Sequence, residues 1–440
     1  MKLPEQLLNS LQNTKGFDND AFVNVHNSEE KITSLRLNPY KPCELEFERG
    51  EKVTWCDNAY YLKERPSFTF DPLFHAGCYY VQDASSQFLE IPFLQAKKIL
   101  NRQLRVLDLC AAPGGKSTHI LSMLNEQDIL VSNEIIPSRN NILRQNIIKW
   151  GCANVIVTQN ETSKLSELKN LFDIIVIDAP CSGEGLFRKD HEAINEWSVE
   201  NVNRCAIRQN EILDHAYSML KPDGFLIYST CTFEKSENDD QVSRLAEKYG
   251  MILTEINYSD ESIIKTENGF SFYPHRIKGE GFYISLLRKN SDENFSSIKT
   301  SKSKDETHSY LSYLKNHDEF TAVRKNENLF AIPITHIPLF KLIRDNAYVR
   351  LAGINLGELK GKDFIPSESL ALSIHNDDKF RSKELSKDDA IEFLRGGNPV
   401  VDGENGFVLM KYLGHSLGWV KKIGVRVNNY YPKEWRIRMR

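Results

Sequence analysis

A doubly wound α/β sheet, with a small α/β element before it and a β-rich module after it, is the fold the sequence predicts. Three observations predict it. Between Leu104 and Arg288, short apolar runs alternate with amphipathic stretches, the pattern of strands joined by helical crossovers. The run 172–181, FDIIVIDAPC, is apolar over seven positions without strict alternation, as in parallel strands covered on both faces. Beyond a charged break near residue 300, the apolar runs become short and strand-like.

In chain order, KITSLRLNP (31–39) and the aromatic-rich stretch 53–80 form the first α/β element. RVLDLCA (105–111) is a buried strand, and a Gly turn leads from it into the helical KSTHILSML (116–124). DILVSNEI (128–135) is the second strand, RNNILRQNIIKWG (139–151) a helix, and NVIVTQN (154–160) the third strand. FDIIVIDAPC is the fourth. The helical NRCAIRQNEILDHAYSML (203–220) leads to the fifth, GFLIYSTC (224–231), and GFYISLLRK (281–289) closes the series. Asn290 to His308, NSDENFSSIKTSKSKDETH, is rich in Ser, Lys, Asp and Glu and reads as a linker. NLFAIPI (328–334), FVLMKYLG (407–414) and SLGWVKKIG (416–424) mark the β-rich C-terminal part. The expected division is an auxiliary RNA-binding element at 1–75, the main sheet at 76–289, a linker at 290–308, an intermediate subdomain at 309–380 and a terminal module at 381–440.

Composition narrows the function classes. A chain of 440 residues exceeds one core, so two to four domains are expected. With 40% hydrophobic and 26% charged residues it is an ordinary globular composition, and no run approaches the about 18 apolar residues of a membrane helix. The first twenty residues are polar and acidic, unlike a secretory signal. The eight cysteines include no CxxC pair, which argues against zinc and for a reduced, cytosolic protein without a metal. A net charge of −4 argues against coating nucleic acid through bulk charge.

The chemistry lies at strand ends, where open α/β sheets bind ligands. LDLCAAPGGKSTHI (107–120) is a strand, a Gly-Gly turn and a helix, which lets backbone approach a ligand at the helix N-terminus. GGKS matches part of a P-loop, but Cys110 stands where its first Gly is needed, and the dinucleotide pattern GxGxxG is missing. The remaining reading is an S-adenosylmethionine loop opened by Cys110 and Ala111. Glu134 ends the second strand, placed to accept both ribose hydroxyls; Asn160 ends the third, near an adenine; Asp178 ends the fourth. Each alone is an ordinary solvated strand-end residue, and the succession is what points to a nucleoside.

DAPCSGEGLFRKD (178–190) and YSTCTF (228–233) place Cys181 and Cys231 just past the fourth and fifth strands, hence at one cleft. Carbon 5 of cytosine is a poor nucleophile until a thiolate adds to carbon 6; the adduct then carries a C5 proton that must leave before the thiol is released. A pair of thiols suits that sequence, one attacking and one assisting release, with Asp178 placed to hydrogen-bond the base. The residues alone do not choose between the two thiols. APC also occurs in amino-methyltransferases with an aromatic clamp, which do not need a second Cys, and a disulfide is the remaining alternative in a non-reducing setting.

These motifs, with YYVQDASS (79–86), FYPHRIKGEGFY (272–283) and SLRLNP (34–39), resemble the NOL/NOP/Sun family of RNA cytosine-5 methyltransferases over residues 30–290. The resemblance implies a Rossmann-like class I methyltransferase sheet and S-adenosyl-L-methionine as cofactor. It implies that Cys231 is the nucleophile, that Cys181 assists release, and that Asp178 sits between cofactor and base. Ala112, Pro113, Gly114, Gly115 and Lys116 would hold the methionine end and Glu134 the ribose. The family usually has Asp where this chain has Asn160, whose amide oxygen can still accept from the adenine amine. Arg188 and Lys189 match the family's RKD and would touch RNA phosphate, a solvated basic pair being the competing reading. The tail LGWVKKIGVRVNNYYPKEWRIR (417–438) is similar to that of a bacterial member acting on 16S rRNA, whose C-terminal region includes a PUA-like RNA-binding module. The catalytic motifs do not separate rRNA from tRNA; the tail favours rRNA.

The terminal module carries Lys411, Lys421, Lys422, Arg426, Lys433, Arg436, Arg438 and Arg440, interleaved with Trp419, Tyr430, Tyr431 and Trp435. Cations mixed with aromatics suit phosphate contact and base stacking. The alternation of GWVKKIGVRV makes Trp419 a core residue. The expected partner is RNA, with no membrane, and the expected state is a monomer.

Overall fold

The computed structural model describes residues 3–28, 30–290, 309–361, 363–377 and 379–439. Apart from Asn290, the linker expected over 290–308 lies outside the described residues, as does Arg440. Strands β1 (Ser34–Leu37), β2 (Arg49–Lys52), β3 (Ala59–Leu62) and β4 (Tyr79–Val81) form an antiparallel sheet in the order β2-β3-β1-β4. The boundary expected at residue 75 falls inside this sheet, because β4 pairs with β1 at Leu35 and Val81.

The main sheet is built on β5 (Arg105–Asp108), β6 (Ile129–Asn133), β7 (Val155–Thr158), β8 (Phe172–Asp178) and β9 (Leu220–Thr230), parallel in the order β9-β8-β5-β6-β7. β6 and β7 are buried at every position, and β8 at every position but its last. That burial on both faces is why their sequences are continuous apolar runs. The crossover helices close with ordinary chemistry. Pro137–Trp150 begins on a proline, whose fixed φ suits a first turn, and ends on Gly151 at φ 93. Val199–Met219 is capped by Ser198, whose hydroxyl accepts from the Asn201 N–H, and it buries Ile212, Leu213, Ala216 and Met219 against the sheet.

The sheet is mixed rather than wholly parallel. β10 (Ile252–Leu253), β11 (Ile264–Lys265), β12 (Phe270–Phe272) and β13 (Phe282–Arg288) follow, and β13 runs antiparallel to β9. Tyr283 therefore pairs with Thr230. An antiparallel β13 starts where β9 ends, so residues 280–282 fall at the carboxyl edge where ligands bind.

After residue 308, β14 (Phe320–Lys325), β15 (Asn328–Pro333), β17 (Ile354–Lys360) and β18 (Asp363–Pro366) make a third sheet, while β16 (Val349–Ala352) leaves it and pairs antiparallel with β7. The main sheet thus ends on a strand from the intermediate segment, which covers an otherwise unpaired edge. β19 (Ser382–Glu384), β20 (Gly406–Tyr412), β21 (His415–Ile423) and β22 (Arg426–Asn429) form the terminal sheet. Trp419 is buried, as its alternation predicts, and donates from Nε1 to the Ser367 carbonyl. One apolar core joins Leu35, Leu73 and Tyr79 to Phe393, Val408 and Tyr431, so the first and last sheets pack together. Among the described residues no helix is long and apolar enough to cross a membrane.

Candidate active site

The carboxyl ends of β5 to β9 open into a cleft of about 710 Å³. Its lining includes Cys110–Pro113, Gly115, Lys116, Glu134, Asn160, Asp178, Cys181 and Cys231, so most strand-end residues singled out from the sequence meet there. Gly114, although in the same loop, does not line it. It holds the turn instead: φ is 112, and an added Cβ would meet Leu143 and Asn146 at 3.3 and 3.4 Å. The loop is braced from outside, Asn146 Nδ2 donating to the Pro113 carbonyl at 2.8 Å and Arg139 to that of Ala112 at 2.9 Å.

Beneath the loop lies Asp108, fully buried, with one oxygen accepting from Ser117 Oγ at 2.6 Å and the other without a hydrogen-bond partner. Burial raises its carboxyl to about 7, against the Ser117 hydrogen bond. Glu134 is also buried and accepts from the Ile136 N–H at 2.9 Å, with Arg139 3.6 Å away. Lys116 and Asp178 form an ion pair at 2.8 Å, and the other Asp178 oxygen accepts from Ser229 Oγ at 3.1 Å.

The two thiols lie 3.1 Å apart, sulfur to sulfur, and both are free. Cys181 Sγ also accepts from the Cys231 N–H at 3.4 Å. Their hydrogen bond, then burial, then the charges of Cys231, Glu237 and Glu184 push the Cys181 thiol well above its ordinary value. Behind Cys181, Ser182 Oγ meets three oxygen-bearing side chains in a small space: Glu184 at 2.7 Å, Thr232 Oγ1 at 3.1 Å and Glu237 in a short contact. Glu237 also accepts from the Ser182 N–H and from Gln209 Nε2. Burial raises the Glu237 carboxyl to about 7 and raises Glu184 in the same direction.

One expectation is narrowed and one corrected. Asn160 lines the cleft, but its amide is engaged elsewhere: Oδ1 accepts from the Tyr348 N–H at 2.9 Å and Nδ2 donates to the Tyr348 carbonyl at 3.2 Å. Its amide is a tie to the intermediate segment, and only the second lone pair of Oδ1 stays open to an adenine amine. Arg188 is not a solvent-facing phosphate contact. Its side chain is 7% exposed, sits 3.6 Å from Glu280 and donates to the Glu30 carbonyl. Lys189 is more open but pairs with Asp83 at 3.3 Å. Lys421, Lys422 and Arg426 lie on the β21–β22 hairpin, and the cleft lining includes none of them. Lys421 lies over the Phe407 ring, and Lys422 donates to the Gly424 carbonyl. Tyr431 is core under that face, whereas Tyr430 is exposed.

Sequence reading passed over Asp108, the Glu184–Ser182–Glu237 group and Arg36. Arg36, in SLRLNP, is 1% exposed. Its guanidinium donates to Gln82 Oε1 and to Ser122 and Thr118 side chains, reaches the Gly115 carbonyl at 3.2 Å, and stacks on Trp150. A charged residue inside an apolar strand was the signal. Burial lowers it only to about 10, so it stays charged and anchors the first turn after the cofactor loop. Cys56, Glu90 and His119 form a buried cluster with metal-ligand chemistry. Its atoms are committed to one another: Glu90 Oε2 accepts from Cys56 at 3.0 Å and from His119 Nε2 at 2.8 Å.

Comparison with known proteins agrees with this geometry. Residues 98–288 match the family model described as 16S rRNA methyltransferase RsmB/F, residues 3–84 the N-terminal domain of 16S rRNA methyltransferase RsmF, and residues 380–437 the methyltransferase RsmF PUA domain. Ribosomal RNA small subunit methyltransferase F of Aeromonas salmonicida is 31% identical over 410 residues, covering 87% of this chain and 85% of the relative. The protein of the same description from Escherichia coli O127:H6 is 31% identical over 413 residues, covering 87% and 84%. Among solved structures, NSun6 from Pyrococcus horikoshii with SFG has a TM-score of 0.54 at 19% identity, covering 66% of this chain and 99% of that one. A methyltransferase homolog protein from the same organism has a TM-score of 0.53 at 24% identity, covering 65% and 100%. These two likenesses are of fold.

Proposed function

The chain belongs to the ribosomal RNA small subunit methyltransferase F family, and we propose that it methylates carbon 5 of a cytosine in 16S rRNA through a covalent Cys231 adduct. S-adenosylmethionine is the cofactor. The residues present fit it: a loop that turns on Gly114 and is bare of a side chain at Gly115, which lines the cleft, and a buried acid at Glu134 in the same lining. Cys110–Lys116 would hold its methionine end and Glu134 its ribose. Bound there, it supplies the electrophilic methyl group that carbon 5 takes.

The observation that carries the reading is the thiol pair, 3.1 Å apart in the same cleft as that loop. The Cys231 thiolate adds to carbon 6 of the cytosine, forming the C–S bond and moving an electron pair towards carbon 5. After methylation the carbon 5 proton passes to solvent water, the base that the open cleft admits. The electron pair of that C–H bond restores the ring double bond as the C–S bond breaks, and Cys231 departs as thiolate. Cys181, held as a thiol beside it, assists this release. Asp178, paired with Lys116 at 2.8 Å, accepts from the cytosine's exocyclic amine.

The chain would work in the cytoplasm as a monomer, its terminal basic hairpin and Lys189 adding RNA contacts. The test is bisulfite sequencing of 16S rRNA, small subunits and tRNA after incubation with the protein and S-adenosylmethionine. A new 5-methylcytosine in 16S rRNA is expected. Methylation of tRNA alone, or of none of the three, would overturn the reading.

A further inference from the structure

We propose that the intermediate segment forms part of the RNA-binding surface, with Tyr348 a base-stacking platform for single-stranded RNA at the cleft and Lys325 and Arg350 its phosphate contacts. The inference rests on RNA being the substrate, as proposed above, and adds a surface outside both the sheet motifs and the terminal module.

Tyr348 is 55% exposed, unusual for a ring next to a strand that completes a buried sheet. Its backbone is fixed: its N–H goes to Asn160 Oδ1, and its carbonyl accepts from Asn160 Nδ2 and from the Gln159 N–H at 3.0 Å. Asn160 is itself a lining residue of the cleft. The ring is therefore presented beside the cofactor pocket, on a backbone whose ordering needs no contribution from RNA. An Asp at 160 would lose the donor to the Tyr348 carbonyl, so the amide at this position is what the tie requires.

The surroundings carry the sign expected of an RNA surface. Lys325 Nζ lies 5.6 Å and the Arg350 guanidinium 5.8 Å from the Tyr348 ring centre. Their hydrogen bonds go to neutral oxygens, Lys325 to the Val349 carbonyl at 3.4 Å and Arg350 to Asn141 Oδ1 at 3.0 Å, which leaves both charges available. Arg144 stands near Arg350 and Tyr348, with Glu434 the acid that faces it. An exposed ring with two cations over it, neither in an ion pair among the described residues, suits single-stranded RNA, whose bases stack and whose phosphates draw the cations. A cytosine drawn into the cleft leaves its flanking nucleotides unpaired at the rim, where such a platform would receive one.

The test measures binding of a fluorescein-labelled single-stranded oligoribonucleotide, and of the same sequence as a duplex, by anisotropy at several salt concentrations. Y348A should weaken single-strand binding roughly tenfold, with duplex binding changed much less. Y348F, which keeps the ring, should bind like wild type. K325A/R350A should weaken binding and lower the slope of log affinity against log salt by about 1.4. S-adenosylmethionine binding to Y348A should match wild type, since the tie to Asn160 is through backbone. Single-strand affinity unchanged in Y348A, with wild type binding normally, would overturn this inference alone. Failure of the wild type to bind RNA would overturn the proposed function along with it.

Discussion

The loops after β8 and β9 end in the same way, each leaving a cysteine just past a buried strand, yet they are built differently. The loop with Cys181 rests on a buried acid group, in which Ser182 meets Glu184 and Glu237. The loop with Cys231 is held by Asn238, which accepts from Thr230 Oγ1 and donates from Nδ2 to the Thr232 carbonyl, and it reaches the acid group through the Thr232 hydroxyl. One serine hydroxyl has one proton to give, but two carboxyl oxygens converge on it. A carboxyl of the group must therefore carry a proton, and Glu237, raised to about 7 mainly by burial, is the group to carry it. The difference teaches how two thiols at equivalent strand ends acquire different roles. Negative charge behind Cys181 opposes its ionisation, which suits the proposed roles of Cys181 as a proton-bearing thiol and Cys231 as the nucleophile.

The largest expected effect breaks the comparison outright. Cys231→Ala should abolish both methylation and covalent capture of 16S rRNA, a loss of more than about a thousandfold for a missing nucleophile. Cys181→Ala should also stop turnover but leave protein–RNA adducts that survive denaturing electrophoresis. If the two variants exchanged these phenotypes, the roles drawn from the loops would have to be exchanged too.

A smaller effect sharpens the electrostatic part. Glu237→Gln copies the protonated carboxyl and removes its charge. Peptide mass spectrometry after iodoacetamide treatment at pH 8 should show Cys181 alkylated severalfold faster than in wild type. An equal or larger gain at Cys231 would mean that the acid group does not discriminate between the thiols. Stability carries a second signature. The Glu237 carboxyl titrates near 7 in the fold against an ordinary 4.5, so the folded protein holds a proton that the unfolded chain releases. Its contribution is complete below about pH 4.5 and is lost as pH rises towards 7. Urea midpoints at pH 5 and pH 8 should therefore differ less in Glu237→Gln than in wild type, by about 1–3 kcal/mol after conversion. Asp108 titrates in the same direction and is unchanged in both proteins, so it cancels in the comparison.

The sequence displayed the local half of this site and concealed the long-range half. Cys181, Cys231, Glu134 and Asp178 were legible because each follows an apolar run, and a buried parallel strand puts its next residue at the carboxyl edge of the sheet. Arg188 was misread, and the tie at Asn160 was missed, because their partners come from far along the chain. Glu280 reaches Arg188 only because β13 reverses direction, and Tyr348 meets Asn160 only because β16 joins the edge of another segment's sheet. Sheet edges choose partners by register and shape, and a four-residue run such as VRLA carries too little pattern to reveal which edge it will take. Arg36 lies between these cases. Its burial was readable from an apolar strand, but its acceptors on the cofactor helix were not.

The smallest expected effect separates the two loops most finely. Ser182 and Thr232 touch at 3.1 Å, each one residue past a thiol, so this contact ties the loops together. Losing one neutral hydrogen bond typically costs about 1 kcal/mol, whereas leaving buried carboxyl groups without their donor costs about 1–3 kcal/mol. Thr232→Val removes the tie and the hydroxyl's bond to Glu184 but leaves Ser182 on its two acids, so it should lower stability by about 1–2 kcal/mol. Ser182→Ala removes the tie and the donor together and should cost more. Denaturant unfolding of both variants at pH 6, where the acid group holds its proton, reads the difference directly. Equal losses would place the acid group's hold on both loops alike, and its position behind Cys181 would no longer explain why the thiols differ.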